Sequence, residues 1–396
     1  MTVANGRAGR FVKQATGYRA FIPAPLPPDP PLLFDARMLQ LLSRADQALG
    51  RLDGVAQTLP NPDLFVAMYI RQEAVYSSQI EGTQSTLDDV LEFELDAAGR
   101  EIPRDVEEVV NYVRALNYGL QRLTTLPLSL RLIREIHAEL MHGVRGGERS
   151  PGEFRTSQNW IGAANASLAQ ATFVPPPPAE LMACLDAFEK FLHADDGSPV
   201  LITAGLAHAQ FETIHPFLDG NGRVGRLLIT LILCYHAVLH QPLLYLSLFL
   251  RRHRAEYYDR LTAIRTDGDW EGWLRFFLRG VGETAEEATA TARAILTLRE
   301  QHRALIRQHQ PSLYSEQLLD LLFERPLINI NLVRDELGVV YKTAGKLVDR
   351  FVELGLLEEI TGQQRNRRYR YAPYLALFGE QRIGNAQETV AQVTEP

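Results

Sequence analysis

The stretch HPFLDGNGRVGR, residues 215–226, decides the fold and the chemistry expected of this chain. It joins a helical pattern ending in QFETI to a very apolar one, RLLITLILCYHAVL. Asp219, Gly220, Asn221 and Gly222 form a tight turn immediately before the second helix. Glycines there let backbone N–H groups approach a ligand closely, and the helix dipole adds partial positive charge. The stretch therefore predicts an anion-binding site at a helix N-terminus.

The charged side chains of this turn favour phosphate as the anion. Arg223 and Arg226 lie in the first turn of the helix, where cations are unfavourable unless anionic groups such as phosphate oxygens pair with them. Asp219 beside phosphates is a natural magnesium ligand. His215 is a candidate general base, because histidine titrates near neutrality. The alternative is a glycine-rich turn with a capping aspartate and surface arginines, but the crowding of these groups favours the phosphate site.

Composition and charge exclude several classes of protein. The 396 residues are 46% hydrophobic and 22% charged, which is typical of a globular protein of two or three domains. The net charge of -7 offers no general basic field, so nucleic-acid binding would need a local patch. The two cysteines, far apart in apolar patterns, exclude a disulfide framework. The N-terminus lacks a signal-peptide core and the longest apolar run is about half a membrane span, so we expect a cytoplasmic protein without membrane contact.

Hydrophobic periodicity predicts a mainly α fold with two departures. GEFRTSQNWIG, residues 152–162, carries glycines at both ends and predicts a short β-hairpin or an extended loop. After residue 312, three helices and two strands around a Thr-Gly turn predict a winged helix-turn-helix domain. The expected segments are an extended proline-rich arm at 1–32, an N-terminal helical region at 33–128, a helical core at 129–309, the winged helix at 310–375 and a polar tail at 376–396.

HPFLDGNGRVGR resembles the signature of Fic domains, HxFx(D/E)GNGRxxR, at every specified position. The span 33–309 is also similar in layout to Fic proteins that carry an N-terminal helical extension. The resemblance implies a Fic-type helical core that transfers AMP from ATP to a Ser, Thr or Tyr hydroxyl of a protein, which could be the chain itself, and releases pyrophosphate. Some family members transfer phosphate or phosphocholine instead, but the phosphate-transferring type departs from the GNGR sequence that this chain keeps.

The resemblance also implies roles for individual residues. His215 would deprotonate the incoming hydroxyl, Asp219 would hold Mg²⁺ between the α- and β-phosphates, and Arg226 would reach the γ-phosphate. The α-phosphate and the rest of the phosphate chain would be held by Gly220, Asn221, Gly222 and Arg223. GEFRTSQNWIG resembles the family's flap, a hairpin that pairs with the backbone of the target by strand addition. Its docking residues would be Thr156, Ser157, Gln158, Asn159, Trp160 and Ile161.

A second motif, SSQIEG, lies upstream at Ser77–Gly82. Ser77 and Glu81 share a helix face and Gly82 is a suitable helix stop, so taken alone the motif is a helix end with one solvated glutamate. It resembles the Fic inhibitory motif, (S/T)xxxE(G/N). That likeness implies that Glu81 pairs with Arg226 in place of the γ-phosphate and inhibits transfer. In some relatives the equivalent glutamate supports AMP removal, so a de-AMPylating enzyme stays open as an alternative.

The C-terminal domain offers a local basic patch. Its expected recognition helix, VVYKTAGKLVDRFVELG, places Lys342, Lys346 and Arg350 at intervals of four, and the wing that follows contains Arg367 and Arg368. This pattern predicts contact with the phosphate backbone of DNA, whereas protein docking or dimerisation is the alternative. The competing function is therefore a DNA-binding regulator whose Fic module senses a nucleotide.

Overall fold

The computed structural model describes residues 6–15, 17–57, 62–96, 103–143, 150–162, 167–309 and 311–378. This part of the chain is mainly α-helical, as the sequence predicts. The helices are α1 (Ala36–Gln57), α2 (Pro62–Ile80), α3 (Leu87–Asp96), α4 (Arg104–Arg122), α5 (Leu130–Leu140), α6 (Pro178–Leu192), α7 (Val200–Ile214), α8 (Asn221–Tyr235), α9 (Ser247–Arg252), α10 (Arg254–Asp267), α11 (Trp270–His309), α12 (Leu313–Glu324), α13 (Ile330–Leu337), α14 (Tyr341–Glu353) and α15 (Ala372–Leu375). The strands are β1 (Gly9–Lys13), β2 (Arg19–Pro23), β3 (Leu327–Asn329), β4 (Glu358–Glu359) and β5 (Arg368–Arg370).

The chain divides into two compact units, whose limits differ from the segments expected from the sequence. The first unit contains Met1–Gly54, Tyr69–Thr86 and Ile102–Glu286. The second contains Val55–Met68, Leu87–Glu101 and Glu287–Pro396. Two short N-terminal stretches thus belong with the C-terminal domain, which no local sequence pattern indicates.

Helices α7 and α8 form the centre of the first unit. Beyond Arg226, helix α8 is almost wholly apolar, and the helix is buried nearly throughout, as expected of a helix enclosed by others. Its neighbours include α4, α5 and α7. In α7, Gly205 has no room for a side chain, because a Cβ there would lie 2.8 Å from Leu274, and its carbonyl accepts a hydrogen bond of 2.8 Å from the indole of Trp273. This packing fixes the two helices that flank residues 215–220.

The N-terminal arm is not wholly extended, in contrast to the expectation for residues 1–32. Strands β1 and β2 pair as an antiparallel hairpin in which Phe11 lies opposite Phe21. Ala20 and Phe21 are fully buried, and the N–H of Phe21 donates to the carbonyl of Val174 at 2.9 Å. Burial of Ala20 and Phe21 stabilises this hairpin, which the proline-rich composition of the arm does not indicate.

The second unit contains the segment predicted as a winged helix. Helices α12, α13 and α14 precede the predicted wing, β4 and β5, and β5 also pairs with β3 to give the sheet order β3-β5-β4. Strand β3 was not expected, since three residues between two helices carry too little pattern to read as a strand. Asn329 then caps α13 by accepting from the N–H of Leu332 at 2.8 Å, and Gly338 ends it with a φ of 63°.

Helix α3 is part of this second unit. It packs against β3 and buries Val90 and Leu91. Within the described residues, every helix is too short or too polar to cross a bilayer.

Candidate active site

His215 terminates helix α7 in a left-handed conformation, with φ 50° and ψ 61°. This conformation is uncommon for a residue other than glycine, although histidine adopts it more readily than most. Nδ1 of His215 lies 3.3 Å from the carbonyl oxygen of Glu212. Because a carbonyl can only accept, Nδ1 carries the proton and Nε2 keeps a lone pair. The backbone therefore presents Nε2 as the basic atom of the ring.

Burial lowers the pKa of His215 to about 4, and the charge of Arg155 acts in the same direction. The imidazole is consequently neutral near pH 7, which is the protonation state that a general base requires.

The loop after His215 is held by the side chain of Asn221. Its Oδ1 accepts from the N–H of Phe217 and its Nδ2 donates to the carbonyl of the same residue, each at 2.8 Å. Asn159 of the flap segment donates to that carbonyl at 2.7 Å. The side chain of Asn221 is thereby committed to the loop, which leaves its backbone N–H for the predicted phosphate contact.

His137 of α5 holds the other side of the loop. It lies outside the motif, and the motif does not indicate this role. Its ring stacks on that of Phe217, with centroids 3.7 Å apart and planes at 5°. Nδ1 accepts from the N–H of Gly152 at 2.8 Å and Nε2 donates to the carbonyl of Asp219 at 3.1 Å. Burial lowers the pKa of His137 to about 4, so this neutral tautomer persists at pH 7. His137 thus supports the loop from behind.

The N-terminus of α8 has the form of an anion site. Gly220 precedes it with a φ of 76°, and a Cβ there would lie 2.9 Å from Sδ of Met141, so only glycine suits this position. The carboxylate of Asp219 accepts from the N–H of Gly220 at 2.7 Å. Mg²⁺ is commonly held by one or two carboxylates together with substrate phosphates and waters. The carboxylate of Asp219 beside this helix N-terminus fits that donor set and is the group that would hold the ion.

Arg226 is buried on α8 and is bound by the upstream motif. Its Nε donates to Oγ of Ser77 at 2.8 Å, and its Nη2 donates to the carbonyl of Ser77 at 2.9 Å. Nη2 also forms an ion pair of 2.6 Å with Oε1 of Glu81. Burial opposes the charge on the guanidinium, but Glu81 and the weaker contributions of Tyr257 and Glu212 together raise the pKa of Arg226.

The carboxylate of Glu81 lies directly over the first turn of α8. A side chain at residue 222 would collide with Oε1 of Glu81, so the glycine at this position leaves room for the carboxylate. Burial opposes ionisation of Glu81, but the charges of Arg226 and then Arg223 lower its pKa, and the group is ionised at neutral pH. Gly82, with a φ of 107°, turns the chain away after it. A carboxylate thus already occupies part of the predicted phosphate-binding site.

The helix that carries this motif is anchored by a buried polar network. Glu73 on α2 accepts from the backbone N–H of Ser247 at 3.0 Å and from the hydroxyl of Tyr112 at 3.1 Å. Tyr112 also hydrogen-bonds the side chain of Ser77. These contacts fix the register of α2 and hence the position of Glu81.

Arg223 contacts a protein carboxylate, and Glu212, an acidic residue outside the motif, lies close to His215. Nη1 of Arg223 pairs with Glu108 of α4 at 2.9 Å, so in this structure it faces a protein carboxylate. Glu212, which the motif does not include, is buried within one turn of His215. Burial raises the pKa of Glu212 to about 7, although Arg226 opposes the shift.

The flap segment is fixed at its base and exposed further along. Nε of the buried Arg155, which sequence reasoning missed, donates to the carbonyl of His215 at 2.9 Å. Gln158 donates to the carbonyl of Pro175 at 3.1 Å. Beyond it the segment forms a single antiparallel bridge, between Ile161 and Phe173. The exposed positions among the predicted docking residues are Thr156, Ser157 and Trp160.

The predicted DNA-contacting residues are not all directed to solvent. Lys342 and Lys346 are exposed on α14. The arginines have partners within the second unit: Arg350 pairs with Glu353 at 2.6 Å, Arg367 lies 5.4 Å from the ring centroid of Tyr369, and Arg368 pairs with Glu92 at 3.2 Å.

Three family models match the chain in succession. The Fic/DOC family N-terminal model matches residues 39–121 and the Fic/DOC family model matches residues 127–233. The model of the protein adenylyltransferase SoFic-like C-terminal domain matches residues 298–369. The chain belongs to the Fic family.

Curated relatives and a solved structure agree with this assignment. The chain is 30% identical to the protein adenylyltransferase Fic of Drosophila virilis over 211 residues, which are 52% of this chain and 40% of that protein. It is 28% identical to the Drosophila yakuba protein of the same name over 251 residues, 61% of this chain and 46% of the relative. It therefore spans less than half the length of these relatives. A Fic family protein from Desulfovibrio desulfuricans G20 has a similar fold, with a TM-score of 0.56 and 21% identity over 86% of this chain and 97% of that one.

Proposed function

We propose that this protein transfers AMP from ATP to a hydroxyl side chain of a protein. The observation that carries the proposal is the basic Nε2 of His215 beside the N-terminus of α8, where glycine backbone and Arg226 offer sites for phosphates. The similarity of about half of the chain to a protein adenylyltransferase Fic supports the same reaction. The acceptor is a Ser, Thr or Tyr hydroxyl of a partner that docks at the flap segment, or of the chain itself.

The reaction needs positioning and charge stabilisation more than covalent catalysis. Nε2 of His215 takes the hydroxyl proton as the oxygen bonds to the α-phosphorus, and the bond to the β-phosphate oxygen breaks to release pyrophosphate. Backbone N–H groups of residues 220–222 stabilise the charge on the α-phosphate. Bound Mg²⁺, held by Asp219, would neutralise charge on the phosphates. Arg226 holds the γ-phosphate once Glu81 has left it.

Glu81 inhibits this reaction in the proposed account. Its ion pair with Arg226 takes the guanidinium that the γ-phosphate needs, and its carboxylate repels phosphate at the first turn of α8. ATP then binds with its α-phosphate out of line with the acceptor, and a small misplacement suffices to suppress transfer.

Replacing His215 tests the proposed base. His215→Ala should abolish AMP incorporation from α-labelled ATP, with a loss of about 10²–10⁴-fold, while nucleotide binding largely survives. His215→Asn should behave alike, since asparagine tolerates the left-handed backbone. The exposed His193→Ala serves as the matched control and should keep the wild-type rate. Near wild-type transfer by both His215 variants would remove this residue from the mechanism.

We also propose that the winged helix binds duplex DNA, which the exposed Lys342 and Lys346 on α14 favour. The whole chain should bind a short duplex weakly and lose affinity steeply as salt rises. Replacing both lysines by glutamine should lower the slope of log affinity against log salt by about 1.8, if each contacts one phosphate. Lys13→Gln with Lys190→Gln makes the same change of charge elsewhere and should leave the slope unaltered. No binding even at low salt would indicate a protein-docking domain.

A further inference from the structure

Helix α3 links the inhibitory motif to the C-terminal domain. Residues 82–86 alone separate Glu81 from Leu87, the first residue of α3. Tyr69–Thr86 belongs to the first compact unit, whereas the stretches on both sides of it, Val55–Met68 and Leu87–Glu101, belong to the second. The segment that carries Glu81 is thus tethered at both ends to the unit that contains the winged helix.

Two arginines of the wing form ion pairs with carboxylates of α3. Nη1 of Arg368 lies 3.2 Å from Oε2 of Glu92, and Nη1 of Arg370 lies 3.8 Å from Oδ2 of Asp88. Arg370 also pairs with Glu358 of β4 at 3.4 Å. The buried face of α3 packs on β3, the strand that pairs with β5. Strand β3 therefore contacts the apolar face of α3, and strand β5 of the wing contributes the two ion pairs.

These ion pairs are of a kind that a polyanion can break. The side chains are 17% and 51% exposed in the pair of Arg368 with Glu92, and 35% and 62% exposed in the pair of Arg370 with Asp88. Ion pairs that are partly open to solvent in this way are weak and screened by salt. A phosphate group competes well for arginine, because it accepts two hydrogen bonds and keeps its charge. Lys342 and Lys346 lie exposed in the same unit and add to the attraction for a phosphate backbone.

We infer that the winged helix is a regulatory domain whose effector is a nucleic-acid duplex. A duplex that takes Arg368 and Arg370 from Glu92 and Asp88 releases α3. The release passes along residues 82–86 and weakens the contact of Glu81 with Arg226, so that AMP transfer rises. This inference rests on the proposed AMP transfer and adds the signal that controls it.

The first test measures self-modification by the whole chain with α-labelled ATP. Asp88→Asn combined with Glu92→Gln should raise the rate without any duplex by about two- to thirtyfold, the range that two exposed ion pairs allow. The matched control is Asp349→Asn with Glu353→Gln on α14, which removes the same charge from the same unit and should leave the rate unchanged. A short random-sequence duplex should raise the wild-type rate but not that of Glu81→Gly, in which no inhibitory carboxylate remains.

The second test does not depend on transfer. Hydrogen exchange of the backbone amides of residues 81–91 should become faster in the Asp88→Asn, Glu92→Gln variant and in the wild type with duplex. If exchange responds and no variant transfers AMP, the coupling stands and the proposed reaction fails. Unchanged exchange under both conditions would overturn the inference, and so would a duplex that stimulates Glu81→Gly as strongly as the wild type.

Discussion

At the scale of single residues, the backbone determines the chemistry of His215. The left-handed turn after α7 directs Nδ1 to the carbonyl of Glu212, and this hydrogen bond leaves Nε2 unprotonated. Burial completes the effect by keeping the ring neutral. The candidate base is therefore ready at neutral pH through burial and a backbone hydrogen bond.

The pH dependence of transfer follows from the pKa of His215. Since the reaction needs the unprotonated ring and its pKa is about 4, the rate is lost only as pH falls towards that value. Initial rates of Glu81→Gly, measured with labelled ATP, should stay within about twofold between pH 5.5 and 8.5. Removing Glu81 lowers the pKa of His215 further, because that carboxylate raises it.

Glu212 provides the control for this profile, because its own pKa is about 7. If the rate changes near pH 7 in Glu81→Gly and this change disappears when Glu212→Gln is added, the change reflects ionisation of the Glu212 carboxyl. A half-maximal rate near pH 6.5 that persists in Glu212→Gln would show that the base has an ordinary histidine pKa, contrary to this account.

The motif indicated which residues cluster, but not how they are held. That His215, Asp219 and Arg226 lie close together could be predicted from twelve consecutive residues, because their spacing on a turn and a helix fixes their neighbourhood. His137 and Arg155 could not, since each reaches the loop from a distant part of the chain through a backbone carbonyl. A hydrogen bond to a carbonyl depends on no particular partner side chain, so it leaves no sequence pattern.

At the scale of elements, the shape of the loop between α7 and α8 depends on the side-chain amide of Asn221. Asn221→Ala removes two buried hydrogen bonds and leaves the backbone groups of Phe217 with fewer partners. We expect the free energy of unfolding of the first unit to fall by about 1–3 kcal/mol in chemical denaturation.

The exposed Asn331→Ala on α13 is the control for Asn221→Ala and should change stability by less than about 0.5 kcal/mol. Transfer by Asn221→Ala should fall as well, because the loop positions His215. Wild-type stability of Asn221→Ala would mean that the loop keeps its shape without the amide.

The elements that sequence analysis missed are short strands. The hairpin of β1 and β2 lies in a stretch whose prolines suggest an extended arm, yet burial of Phe21 makes it a folded part of the first unit. Strand β3 has three residues and is stabilised by pairing with β5, far along the chain. Helices are easier to predict, because their hydrogen bonds and periodicity are local.

At the scale of the whole molecule, the proposed inhibitory motif lies close to one of the points where the chain passes between its two compact units. Glu81 lies in a segment of the first unit, and α3 immediately after it belongs to the second. Sequence order places these residues in one N-terminal helical region, and only the folded contacts of α3 with β3 and the wing reveal the division.

In the proposed mechanism, Glu81 restrains an AMP-transferring site through Arg226. The direct measurement is the initial rate of self-modification with α-labelled ATP, wild type beside Glu81→Gly. A charge-assisted contact of this kind contributes about 1.5–3 kcal/mol. Its loss should speed transfer roughly ten- to a hundredfold, at about 1.4 kcal/mol per decade. Glu81→Gly combined with Arg226→Ala should be slow again, because the guanidinium is then missing. An equal or lower rate in Glu81→Gly would contradict the account and leave Glu81 as a helix-end carboxylate or a group that serves AMP removal.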